Sequence, residues 1–86
     1  MKILVEQAEG EGLESLMGQE ITLFGVNYIY AGKLVGVNSV CVKLENPKIV
    51  YETGAFAEPS WKDVQSLPSK FFYVMLSAVE SFGICK

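Results

Sequence analysis

Residues 71–76, Phe-Phe-Tyr-Val-Met-Leu, form an uninterrupted apolar run that constrains the fold more than any other segment. Roughly 18–20 apolar residues are needed to span a membrane, so this run reads as a strand. Successive side chains of a strand point to opposite faces. Phe71, Tyr73 and Met75 therefore take one face, and Phe72, Val74 and Leu76 the other. A sheet with one wet face alternates apolar and polar residues instead. The run needs cover on both faces, whether from the core and a packed loop or from a neighbouring subunit. No proline or inward charge blunts it, and an unblunted apolar edge invites pairing with another chain.

The rest of the chain offers little cover. Its 86 residues suffice for one domain, taken as 1–86. A domain of this size buries only roughly 60–65% of the surface its unfolded chain exposes. Yet 50% of the residues are hydrophobic and the mean hydropathy is +0.28. Subunit contacts are the ordinary place for such a surplus, so a homo-oligomer is expected.

Periodicity sets the expected order of elements. Leu13, Leu16 and Met17 sit at i, i+3 and i+4, which predicts one to two turns of amphipathic helix closed by Gly18. A short strand over Lys2–Glu6 precedes it, with a turn at Gly10-Glu11-Gly12. From Gln19 the period becomes two, giving a strand through Ile21 and Leu23, a turn at Val26-Asn27, and a long extended run from Tyr28 to Val37. Gly32 and Gly36 inside that run suit sharp bends or close backbone approaches. Asn38-Ser39 turns the chain into Val40–Leu44, Glu45-Asn46-Pro47 breaks it, and Lys48–Glu52 extends the sheet. Residues 53–70 read as one long loop, with a helical turn over Trp61–Leu67 capped by Ser60 and stopped by Pro68. Phe71–Leu76 and Val79–Cys85 close the chain around a break at Ser77-Ala78. The class is mainly β, and a small, strongly bent barrel is the leading architecture.

Several function classes lose support from composition. There is no histidine to act as a base near neutral pH, and serine, cysteine and lysine fall in no nucleophile motif. The glycines form no phosphate-cradling loop ahead of a helix. An enzyme is not expected, and neither is a cofactor. Cys41 and Cys85 without histidine make no zinc site, and Asp63 is the only aspartate, so no metal is expected. All seven basic residues are lysines and the net charge is −3, which counts against a broad nucleic-acid surface. No membrane segment is expected. Met1–Val5 is too short an apolar run for a signal sequence, so a cytoplasmic location is expected.

Residues 13–46 then resemble the opening of Sm and Sm-like (Lsm, Hfq) proteins, with a short helix, a glycine, a first strand and a Gly-x-Leu strand at Gly32 and Leu34. Asn38 falls where that family usually carries aspartate. Residues 73–82 are similar to its last two strands, nearer the bacterial Hfq version than the eukaryotic one. The resemblance implies a five-stranded, strongly bent barrel with a short N-terminal helix. It also implies a closed homo-oligomeric ring, its fourth strand pairing with the fifth of the next copy. Phe71, Phe72, Tyr73, Val74, Met75, Leu76, Val79, Phe82 and Ile84 would make that interface. Five, six or seven copies need only slightly different strand angles.

The resemblance implies single-stranded RNA as a partner, with Asn38, Ser39 and Ser77 lining the pore. Departures weigh on that side. The position of the family's stacking residue is Val40, no arginine exists in the chain, and the lysine-histidine pair of Hfq is missing near Val74-Met75. The alternative is a ring that has lost RNA binding and holds a protein partner through the 53–70 loop. At residue level, Asn38 serves equally as a turn asparagine. Tyr28 and Tyr30 suit sheet packing better than base stacking. Lys33, Lys43 and Lys48 either gather into a patch or keep separate strands solvated. Trp61 is expected to anchor the loop, and Cys41 to be a small packed residue.

Overall fold

The alternating runs become strands in the computed structural model of the chain, which describes residues 10–86. Strands β1 (Glu20–Gly25), β2 (Ile29–Val37) and β3 (Cys41–Glu52) form an antiparallel meander, followed by β4 (Asp63–Ser66), β5 (Phe71–Met75) and β6 (Val79–Gly83). β1 lies between β2 and β6. β3 lies between β2 on one edge and, in tandem on the other, β5 and β4. The fold is mainly β, a six-stranded antiparallel sheet with no α-helix among the described residues. β5 and β6 pair with β3 and β1 and not with each other, so the hydrogen-bonded path stays open.

Four expectations need correction. The helix over Leu13–Met17 is a single 3-10 turn, Leu13–Leu16, entered from Gly12 without a side-chain cap. Its bonds run from Ser15 N to the Gly12 carbonyl and from Met17 N to that of Glu14, and Gly18 then bonds across to the Leu34 carbonyl. One buried leucine, Leu13, is too little packing to propagate so short a helix. Pro47 does not end β3. It lies buried where the strand's partner changes from β5 to β4, and Asn46 beside it takes φ 53°.

The helical turn over Trp61–Leu67 is also replaced. Asp63–Ser66 pairs with Lys48–Glu52 as β4, because the far half of β3 offers an open row of backbone groups that a seven-residue helix would leave unpaired. This makes six strands where five were expected, and it splits the 53–70 loop into a strap (53–62), β4, and a short link. The strand expected over Lys2–Glu6 lies outside the described residues.

Ile21, Leu23, Leu34, Val42, Leu44 and Val74 face one another in the core, with Leu13 beneath them. Gly32 and Gly36 fall at the two shifts of register between β2 and β3. At Gly32 a Cβ would stand 3.2 Å from both the Glu45 carbonyl oxygen and Leu44 Cβ, so a side chain there would press β3 back by a few tenths of an ångström. On the sheet's second face Thr22 and Ala31 are also buried, beneath the strap.

Candidate assembly edges and turn cluster

The open path leaves two edges beside the closing strands. The ladder between β3 and β5 fixes which backbone groups of β5 are spare. Leu76 N–H donates to the Val40 carbonyl (2.8 Å), and Asn46 N–H to that of Lys70 (2.7 Å). Bonded pairs alternate along an antiparallel ladder. In the observed register Phe72 and Val74 are thus bonded to β3, while the N–H and C=O of Phe71, Tyr73 and Met75 point to the outer edge.

The side chains of β5 divide as expected. Val74 is buried, and Phe72 and Leu76 pack against the core, as does Val79 at the start of β6. Phe71, Tyr73 and Met75 stay 38%, 58% and 50% exposed, a continuous apolar row on the outer face. Lys43 covers part of it, its ammonium 4.3 Å from the Phe71 ring centroid and 5.7 Å from that of Tyr73. On β6, Phe82 stands opposite the fully buried Leu23 yet is 43% exposed, and Ile84 beyond the strand is 55% exposed. Of the nine residues expected at an interface, Phe71, Tyr73, Met75, Phe82 and Ile84 are open to a partner. The other four face their own core.

The three pore candidates lie on two neighbouring turns. The bond from Leu76 to Val40 sets the 38–40 turn beside the 3-10 turn Leu76–Ala78, and Asn38, Ser39 and Ser77 are all exposed there. The Asn38 side-chain oxygen accepts from the N–H groups of Val40 (2.7 Å) and Cys41 (2.8 Å). That oxygen is the turn's own brace. Val40, 53% exposed, is the largest apolar group in the cluster.

Lys33, Lys43 and Lys48 do not gather. Lys33 lies opposite Glu20 and Glu45, Lys43 lies over the β5 rings, and Lys48 lines a cavity of about 220 Å³ under the strap. Tyr30 packs against the core and Phe72, whereas Tyr28 is exposed with its ring 6.2 Å from that of Tyr30. Cys41 and Cys85 are half-buried free thiols. Trp61 is half-buried in the strap and meets Phe56 edge to face. Sequence reasoning missed Lys86, whose ammonium reaches back some thirty positions to three strap carbonyls. A lone lysine beyond a strand carries no pattern that would have revealed it. No helix among the described residues is long and apolar enough to cross a membrane. No family model, curated protein or solved structure matches this chain.

Proposed function

We propose that this chain is a scaffold subunit that assembles with copies of itself into a closed ring of Sm-like plan, β5 of one copy pairing with β6 of the next. The observation that carries this reading is the pair of edges left unpaired among the described residues and flanked by exposed Phe71, Tyr73, Met75, Phe82 and Ile84. Each edge supplies what the other lacks, a row of backbone groups and apolar cover. A head-to-tail contact of this kind closes into a ring when its rotation divides a full turn.

Connectivity supports the bent barrel within each subunit. β5 ends beside Val40, at the turn between β2 and β3. Three residues later the chain enters β6 beside Val26, at the opposite end of β1. The four Cα steps from Met75 to Val79 reach at most about 14 Å. In a flat sheet β5 and β6, four strand positions apart on the path, would be separated by about 19 Å or more. A sheet bent over its core removes the conflict.

A second reading, single-stranded RNA held around the opening, is favoured by the clustering of Asn38, Ser39 and Ser77. The brace on Asn38, the aliphatic Val40 and the net charge of −3 favour the scaffold. Light scattering on the eluting protein, with and without a labelled uridine-rich oligonucleotide at low salt, tests both. A mass several times 9.5 kDa with no co-eluting label is the expected result. Co-elution that weakens with salt would favour the RNA reading, and a folded species at 9.5 kDa would remove the ring.

A further inference from the structure

The strap 53–62 crosses the outer face of the sheet with few bonds of its own. Glu58 N–H donates to the Ala55 carbonyl (3.0 Å), and Lys62 N–H to that of Thr53 (3.4 Å). Its best-defined feature is a point where three main-chain carbonyls converge. There the Lys86 ammonium donates to Thr53 O (2.7 Å), Ala55 O (2.9 Å) and Ser60 O (2.9 Å). The same nitrogen lies 4.9 Å from the Trp61 ring centroid and 5.6 Å from that of Phe56. Those two rings meet edge to face, 6.4 Å apart at 85°.

A primary ammonium carries three N–H donors and no acceptor. Here each donor has its own carbonyl, and two aromatic rings present their electron-rich faces to the charge. Carbonyl dipoles aimed at one point repel each other unless a positive charge sits there, so this shape of the strap presupposes a cation. All five recognising groups belong to the strap, and none belongs to the strand that delivers Lys86.

We propose that residues 53–61 form a binding site for a primary ammonium group, of the kind a lysine side chain carries, filled from within the chain by Lys86. The three carbonyls set the selectivity, because a quaternary ammonium offers the rings its charge but gives the carbonyls no N–H. This site is independent of the ring assembly.

Trp61 is the only tryptophan, so its emission reports on the site alone. Lys86→Ala should shift that emission to the red while far-UV circular dichroism keeps the sheet signature. n-Butylammonium chloride, titrated at constant ionic strength against potassium chloride, should restore the emission saturably. Tetramethylammonium should not, and the unaltered protein should respond to neither. Emission unchanged in the variant, no recovery with n-butylammonium, or equal recovery with both cations would each overturn the site. Lys86→Met, which keeps the apolar stem and removes only the ammonium, should show the same red shift but no recovery with n-butylammonium; unchanged emission would overturn the site. If neither variant folds, the unaltered protein decides. A Lys86 ammonium proton signal that persists where the other lysine signals are lost to exchange supports the site, and its absence overturns it.

Discussion

Gly25 is where the chain tolerates no side chain. A Cβ there would lie 2.7 Å from the Tyr28 carbonyl oxygen and 2.9 Å from that of Ala78, both main-chain atoms. Both hold the turn: Gly25 N–H donates to the Tyr28 carbonyl, Val26 N–H donates to that of Ala78, and the β1–β6 register shifts between Phe24 and Gly25. Neither contact can relax without moving a strand. Gly25→Ala should therefore destabilise the fold by about 1–3 kcal/mol, as overpacking does. At fixed protein concentration that lowers the melting midpoint by about 4–8 °C per kcal/mol. An unchanged midpoint would show that the turn opens freely. Asn38 carries its role more openly: an asparagine at the end of an alternating run marks a turn, and here it braces one. The role of Gly25 was half legible, since glycine beside Asn27 marks a turn, but the approach of Ala78 depends on a strand more than fifty residues away.

At the scale of elements, β5 offers a test because the two edges of one strand do different work. The N–H of Tyr73 points to the free edge and that of Val74 to β3, by the alternation of the ladder. Proline removes an N–H donor and is tolerated only where that donor is unpaired in the sheet. Tyr73→Pro should leave a folded single subunit, because only the outer edge loses a donor. Val74→Pro should cost about 3 kcal/mol or more, because it breaks the pairing to β3. Circular dichroism with sedimentation velocity separates the two. Equal assembly by the Tyr73 variant and the unaltered protein would place the seam elsewhere. β1 and the first half of β3 were readable from period-two alternation, β2 from β-branched and aromatic content, and β5 from its unbroken apolar run; the second half of β3 and β6 were also read as strands. β4 was not: Asp63-Val64-Gln65-Ser66 has one apolar side chain, and only the open half of β3 makes it a strand. The 3-10 turn was misread for the matching reason, since i, i+3, i+4 spacing over five residues does not distinguish one tight turn from a helix.

Across the whole molecule, burial and exposure are unevenly divided between the two ends of the path. The core is complete around Leu23, Leu34 and Leu44, each fully buried, while the outermost strands keep apolar side chains in water. The two-sided run at 71–76 made this legible in the sequence: its inner row, Phe72, Val74 and Leu76, joins the core, and its outer row has among the described residues only the partial cover of lysine side chains. What could not be read was the division of the interface residues between core and seam, which depends on the register of β5 against β3. The pairing of β5 with β6 of another copy is tested most directly by hydrogen exchange at single amides, followed by NMR on the assembled protein. Pairing at the seam would bond the N–H groups of Phe71, Tyr73 and Met75, which should then exchange as slowly as those of Phe72 and Val74. Fast exchange at the three odd-numbered positions, with slow exchange at the two between them, would mean that the outer edge of β5 stays open to water and that no such seam exists.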